Sequence, residues 1–282
     1  MSRIVNVAAV LAAVGLLAVP ARAEDIVRHR PDCSGPADLV RLGEPLSRVG
    51  DRLAQREPVK ILAFGSSSTV GIGATSLDNA YPNRLEAELH VRLPGIPIRV
   101  LNRGVSGEDV DEMLLRLERD VIAEHPDLVL WQLGTNAILR LNGIAIEAPI
   151  IRDGLRRIRS AGADVLLIDP QYAPKVLRDP DAHPMVALLS AIASEMQAPV
   201  FHRFALMQYW HEVREISFAD MLSADLFHMN DWSYACLAQN LARAIVAAVP
   251  SKPAVAESRP AQSASVSAQP VSAVVGAVGP GR

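Results

Sequence analysis

A hydrolytic centre that needs no cofactor can be built from a hydroxyl, an imidazole and a carboxylate. This chain offers the hydroxyls in one place, Gly65-Ser66-Ser67-Ser68-Thr69. A serine becomes a nucleophile when a base takes its proton, a third group orients that base, and fixed donors hold the developing oxyanion. The base must be one of His29, His90, His125, His183, His202, His211 and His228. Only His228 has a carboxylate at short fixed spacing in a polar loop just before a helical pattern, Asp225-Leu226-Phe227-His228-Met229-Asn230. In a turn, Asp225 can accept from one ring nitrogen while the other faces a serine, which fixes the tautomer. The residues themselves leave open which hydroxyl is attacked by that base.

Other chemistries fit less well. Gly71-Ile72-Gly73-Ala74-Thr75-Ser76 imitates a dinucleotide fingerprint, but its third glycine is Ser76, and Asp78, Asn79 and Pro82 delay the helix that should follow. No Gly-Lys-Ser/Thr follows Gly65, so a phosphate-binding P-loop is excluded. His211-Glu212 lacks the second histidine of a zinc-protease helix, and Thr69 stands where a Gly-x-Ser-x-Gly elbow needs its last glycine. No metal and no cofactor is expected.

Groups scattered from Ser66 to His228 need a scaffold that gathers them. Lys60–Phe64, Ile98–Leu101, Leu128–Leu133, Val165–Ile168 and Pro199–Phe201 read as buried strands, mostly as near-continuous apolar runs. Helical spacings lie between them: Leu85 and Leu89; Val110, Met113, Leu117 and Val121; Ile151, Leu155 and Ile158; Leu189, Ile192 and Met196. Leu237, Leu241 and Ile245 continue the pattern in a last helix that Asn230 or Asp231 would cap, and a first helix is expected around 38–54. This alternation predicts an α/β fold, a parallel sheet of about five strands with helices on both faces and right-handed crossovers. Ligands then bind beyond the carboxyl ends of the strands. There lie the hydroxyl run, Asn102-Arg103-Gly104-Val105-Ser106-Gly107 and Gly134-Thr135-Asn136, three loops on one rim. The segment Gln171–Pro184, with Tyr172, Lys175, Arg178, Asp179 and Asp181, is expected to border the same rim.

In order and placement these segments resemble the SGNH (GDSL-type) hydrolases, whose blocks supply serine, glycine, asparagine and histidine in turn. Gly65-Ser66-Ser67-Ser68-Thr69 is similar to the Gly-Asp-Ser-x-Thr block, which implies Ser67 as the nucleophile. Asn102-x-Gly104-x-x-Gly107 is similar to the second block and Gly134-Thr135-Asn136 to the third. The implied oxyanion donors are the N–H groups of Ser67 and Gly104 and the Asn136 amide. Asp225-x-x-His228 is similar to the last block, with Asp225 orienting His228. Ser66 and Ala137 stand where the family usually has Asp. The resemblance runs from about Lys60 to Val249 and implies a flavodoxin-like three-layer α/β/α fold and a serine esterase acting on short-chain or O-acetyl esters, of small molecules or polysaccharides. The alternative is a non-catalytic protein of the same fold that binds envelope polysaccharide.

The rest of the chain bounds that reading. Of 282 residues, half are hydrophobic and 21% charged, as in soluble globular proteins, and 28 basic against 31 acidic residues give a net charge of −3. With no basic run, a nucleic-acid partner is not expected. Arg3, the apolar run Ile4–Val19 and Ala21-Arg22-Ala23 form a signal-peptide pattern over 1–23, so export to the periplasm or medium is expected, without stable membrane insertion of the mature protein. The hydrolase domain is expected over 24–249. Residues 250–282, rich in Ala, Ser, Pro and Val and free of aromatics, are expected to be a disordered tail. Two cysteines in one exported domain, Cys33 and Cys236, are expected to pair.

Overall fold

The computed structural model describes residues 32–140 and 143–250. The expected leader, 1–23, and the expected tail from 251 onward lie outside the described residues. Five strands, β1 (Val59–Gly65), β2 (Ile98–Gly104), β3 (Leu128–Gln132), β4 (Asp164–Ile168) and β5 (Val200–Phe201), form one parallel sheet in the order β2-β1-β3-β4-β5. The helices are α1 (Ser47–Ala54), α2 (Ser67–Val70), α3 (Tyr81–Arg92), α4 (Val110–Asp120), α5 (Thr135–Arg140), α6 (Glu147–Ser160), α7 (Pro174–Leu177), α8 (Ala182–Met196), α9 (Arg203–Glu212), α10 (Phe218–Met221) and α11 (Asp231–Ala247). Helix α3 packs with α11, and α4 packs with α6, which packs in turn with α8. The sheet lies between these layers, so every residue of β3 is buried, as is all of β1 but Lys60. That double coverage is why the strands are apolar on both faces. No helix of the described residues is long and apolar enough to cross a membrane.

The strand order reverses at β1. The chain leaves β1 for β2 on one side, then crosses back to β3 on the other, and the loops after β1 and β3 diverge. Their divergence opens a crevice at the carboxyl ends of these strands. The hydroxyl run and Asn136 emerge on its two sides.

Two boundaries differ from the sequence reading by more than one residue. β2 continues to Gly104, pairing Leu62 with Leu101 and Gly65 with Gly104, so Asn102-Arg103-Gly104 ends a strand and is not loop. The first helix is only Ser47–Ala54, because Gly43 sits at φ +79° and Pro45 disfavours helical geometry at Glu44. That helix docks at the amino-terminal edge of the sheet, where the Val49 N–H donates to Asp164 Oδ2 at 3.0 Å and Arg48 pairs with Asp127.

Cys33 and Cys236 are joined by a disulfide, with Cα atoms 5.4 Å apart and 203 positions between them in sequence. The bond ties the segment before α1 to α11, and Cys33 O also accepts from Trp210 Nε1 and Asn240 Nδ2. Closing so long a loop is worth up to about 5 kcal/mol in the chain-entropy picture, and often less in practice. Cys33→Ser is therefore expected to lower the thermal midpoint by about 5–15 °C. An unchanged midpoint, with two alkylatable thiols in the unreduced wild type, would contradict the bond.

Candidate active site

Ser67 is the first residue of α2, reached by a sharp exit from β1. As first helical residue it has no intrahelical acceptor for its own N–H. Its neighbours are turned inward and held. Ser66 Oγ and N donate to Gln132 Oε1 at 3.1 and 2.9 Å, Thr69 Oγ1 reaches the same oxygen at 3.3 Å, and Ser68 Oγ donates to Gln171 Oε1 at 3.4 Å. Ser66, Ser68 and Thr69 are buried, whereas Ser67 is partly exposed. The fold itself thus singles out one hydroxyl of four.

The Ser67 Oγ lies 2.9 Å from His228 Nε2, and His228 Nδ1 lies 2.6 Å from Asp225 Oδ2. These three come together across 161 positions of sequence because a compact loop, 222–229, leans over the crevice. Its base is a bridge between Leu222 and Met229, with Ser223 N–H donating to His228 O at 2.8 Å. Asp225 Oδ1 accepts from Ser223 Oγ (2.7 Å), Phe227 N (3.0 Å) and His228 N (2.9 Å). Leu226 is forced to φ +51° to let the loop close, a strain of order 1 kcal/mol that those bonds offset. Asn230 caps α11 by accepting from Ser233 N at 3.1 Å, which ends the loop.

Burial alone would raise the Asp225 pKa. The bonds from Ser223, the His228 ring and the backbone N–H groups of His228 and Phe227 outweigh it and hold the carboxyl well below the usual range. Asp225 therefore faces His228 as a carboxylate. Gly73, at φ +92°, lies so close beneath the loop that a Cβ there would run into Met229 O and the His228 side chain. The Gly71–Gly73 segment, read above as an imitation of a nucleotide fingerprint, is a support for the histidine.

On the other side of Ser67, Asn136 stands in α5 directly after β3, partly exposed, and its Nδ2 donates to Glu108 O at 2.6 Å. That nitrogen carries two hydrogens, of which Glu108 takes one. Gly104 packs so closely against α2 that a Cβ would strike Val70 N and the Thr69 backbone. Its N–H departs from the role the resemblance implies, because it donates to Asn102 Oδ1 at 2.9 Å and an oxyanion would have to share it. Asn102 Nδ2 in turn donates to Thr69 O at 2.7 Å, tying β2 to α2.

Two buried amides were missed from sequence. Gln132 gathers the β1–α2 turn, and Gln171 Oε1 joins Ser68 to Thr135 Oγ1 at 3.0 Å, linking the Ser67 and Asn136 sides of the crevice. For Gln132 its place at the end of a strand is the one signal available, and its partners lie 63 to 66 positions away. The Gln171–Pro184 segment is less open than expected: Tyr172 is buried with its hydroxyl on Glu212 at 2.6 Å, and α7 and the start of α8 occupy the rest. Lys175 is exposed and lies 4.9 Å over the Phe227 ring, which itself meets the His228 ring edge-on at 4.5 Å.

A buried acid pair lies behind Asn136. Asp109 caps α4 in a capping box with Glu112, and Glu147, at the start of α6, is hydrogen-bonded to it. Burial first, then the nearby charges of Asp109 and Asp111, push Glu147 up to about 8. A raised carboxyl binds its proton more tightly folded than unfolded, so its contribution is complete below pH 4.5 and is lost as pH rises through 8. Wild-type thermal stability is expected to fall over that window and to fall less in Glu147→Gln; parallel curves for the two proteins would contradict this.

With the geometry in place, comparison with known proteins adds the following. Residues 32–251 match the model of the Non-GDSL lipase-like family, a description that suits Ser66 in the usual aspartate position. An acetylxylan esterase of Geobacillus stearothermophilus is 33% identical over 98 residues, 35% of this chain and 42% of that enzyme. A GDSL-like esterase of Mycobacterium tuberculosis is 32% identical over 117 residues, 39% of this chain and 35% of that protein. The chain thus spans roughly two fifths of the length of these curated relatives. Among solved structures, the acetylxylan esterase Axe2 of Geobacillus stearothermophilus superposes with a TM-score of 0.57 at 24% identity, covering 66% of this chain and 94% of Axe2. A lipase/acylhydrolase of Enterococcus faecalis gives 0.55 at 25% identity, covering 66% and 95%. Both have the three-layer fold described above.

Proposed function

The chain belongs to the Non-GDSL lipase-like family, and from that premise we propose that it is a serine esterase whose nucleophile is Ser67. The observation that carries the reading is the continuous line from Ser67 Oγ through His228 Nε2 and Nδ1 to Asp225 Oδ2, with steps of 2.9 and 2.6 Å. Ser67 Oγ attacks the acyl carbonyl carbon as His228 Nε2 takes its proton. The same proton passes to the departing alcohol oxygen, leaving the acyl group on Ser67. Water, giving a proton to His228, then attacks that ester; the acid leaves and Ser67 regains its hydrogen. Asp225 stays ionised throughout and stabilises the imidazolium. The oxyanion is held by the Ser67 N–H and the second hydrogen of Asn136 Nδ2, with the Gly104 N–H shared from Asn102.

The substrate class is a short-chain or O-acetyl ester, of a small alcohol or a polysaccharide. The likeness to an acetylxylan esterase supports this, and so does Lys175, a charged side chain beside Phe227 and His228 that suits a polar alcohol part. The protein acts outside the cytoplasm; the leader-like 1–23 and the Cys33–Cys236 bond support export, since such bonds persist in oxidising compartments.

A panel of esters from acetyl to palmitoyl, with acetylated polysaccharide, tests the substrate class; turnover rising with chain length would contradict it. In the same assay, Asn136→Ala is expected to lower kcat by about 10²–10³ with little change in KM, because its donor acts mainly in the transition state. A loss confined to KM would make Asn136 a substrate-binding residue instead.

A further inference from the structure

Arg116 is a buried guanidinium on α4 that takes no part in the reaction above, and every one of its nitrogens is engaged. Nε donates to Glu108 Oε2 at 2.7 Å and Nη2 reaches the same oxygen at 2.6 Å. Nη1 donates to Arg103 O at 2.9 Å and to Asp120 Oδ2 at 3.3 Å, and Nη2 also reaches Gly65 O at 3.4 Å. The guanidinium carbon lies 4.5 Å over the Phe64 ring, which fixes the plane of the group.

Three of these acceptors, Arg103 O, Gly65 O and Glu108, lead to parts of the oxyanion hole. Arg103 O and the Gly104 N–H belong to one planar peptide unit, so a donor on the carbonyl sets the direction of the N–H. Drawing electron density toward a charged donor also makes that N–H a better donor. Gly65 O ends the strand from which Ser66 and Ser67 turn. Glu108, held by two guanidinium nitrogens through its side chain, presents its backbone carbonyl to Asn136 Nδ2 at 2.6 Å. One side chain therefore connects the β1 end, the Arg103–Gly104 peptide and the acceptor of Asn136.

We propose that Arg116 is the positioning residue of the oxyanion hole, fixing the Gly104 peptide directly and Asn136 through Glu108. This rests on the serine-esterase reading. Arg116 touches neither the ester nor the reacting atoms; it acts by holding donors still, so its loss falls on the transition state more than on substrate binding. A lysine could keep the charge but not the fork that spans Glu108 and Arg103.

The test is kinetic, on the full-length protein. Arg116→Met is expected to lower kcat by about 10–100-fold, less than outright removal of a donor, with KM within about threefold. Affinity for a short alkyl boronic acid, whose tetrahedral serine adduct mimics the transition state, should fall in parallel with kcat. Arg116→Lys should recover little. Combining Arg116→Met with Asn136→Ala should cost less than the product of the two single losses, because both act through one hole. Arg119→Met, which removes an exposed charge from the same helix, should leave turnover unchanged. If Arg116→Met does not fold, Glu108→Gln keeps the backbone carbonyl while removing the ion pair, and should lower kcat in the same direction. The proposal is overturned if kcat and boronate affinity stay within twofold of wild type in whichever of Arg116→Met and Glu108→Gln folds, or if the double loss equals the product. Ser67→Ala separates the two failures: full turnover in that variant removes the serine reading, whereas its inactivity beside an unaffected Arg116→Met removes only the positioning role.

Discussion

Ser67→Ala is expected to lower ester turnover by about 10⁴–10⁶-fold while leaving the fold intact. The size follows from what is lost, since without Oγ there is no acyl-enzyme and His228 has no hydroxyl to deprotonate. Residual hydrolysis would come from the oxyanion donors acting on bound ester and water. Ser66→Ala and Ser68→Ala supply the contrast. Ser66 Oγ is committed to Gln132 and Ser68 Oγ to Gln171, both buried, and neither is bonded to His228. Each should keep turnover within about tenfold, since a lost buried hydrogen bond of about 1 kcal/mol loosens the turn without removing a reacting group. Equal losses from all three alanines would mean that the turn, and not one hydroxyl, is what turnover depends on.

Asp225→Asn is expected to lower kcat by about 10³–10⁴ with little change in thermal stability. The surrounding bonds dictate how the new amide must sit. Ser223 Oγ, Phe227 N and His228 N all donate to Asp225 Oδ1, so an asparagine keeps its oxygen there and turns its NH₂ toward His228 Nδ1. Nδ1 must then accept, which moves the ring proton to Nε2, the nitrogen that faces Ser67. A base that already carries the proton cannot take another from the serine without becoming charged beside a neutral partner. Asp225→Ala should be less informative, because it also releases the 222–229 loop. A kcat within tenfold of wild type in Asp225→Asn would mean that the carboxylate serves the loop and not the tautomer.

Much of this arrangement is legible before any coordinates. Leu128–Gln132 and Val165–Ile168 are apolar at nearly every position because both faces of the sheet are covered, and that pattern needs no partner to be recognised. Asp225 and His228 are also readable, since a turn bonds residues three apart and the pair carries its own geometry. Ser67 is different. Four adjacent hydroxyls are equivalent as a sequence, and only the resemblance to a known block, or the burial of three of them, chooses among them. Gln132, Gln171 and Arg116 are less legible still. Most of their bonds run to backbone and side-chain atoms 13 to 103 positions away, and a polar residue whose partner is that distant reads like any solvated one. The extension of β2 through Asn102-Arg103-Gly104 escaped for a related reason: polar residues stay in a strand when the neighbouring strand supplies the pairing, here Ala63 to Gly65.

The central claim is that Ser67 is the nucleophile, and its most direct measurement is the location of a covalent adduct. The full-length protein is treated with a fluorophosphonate, digested, and its peptides sequenced by mass spectrometry. One phosphonyl group per chain, on Ser67, is the expected result, retained in Ser66→Ala and Ser68→Ala and absent in Ser67→Ala. Stoichiometric labelling of Ser67→Ala at another residue, or wild-type protein that turns over esters but stays unlabelled, would contradict the account. A wild-type protein that is neither labelled nor active on any ester would contradict it as well, and would favour a binding protein built on the same fold.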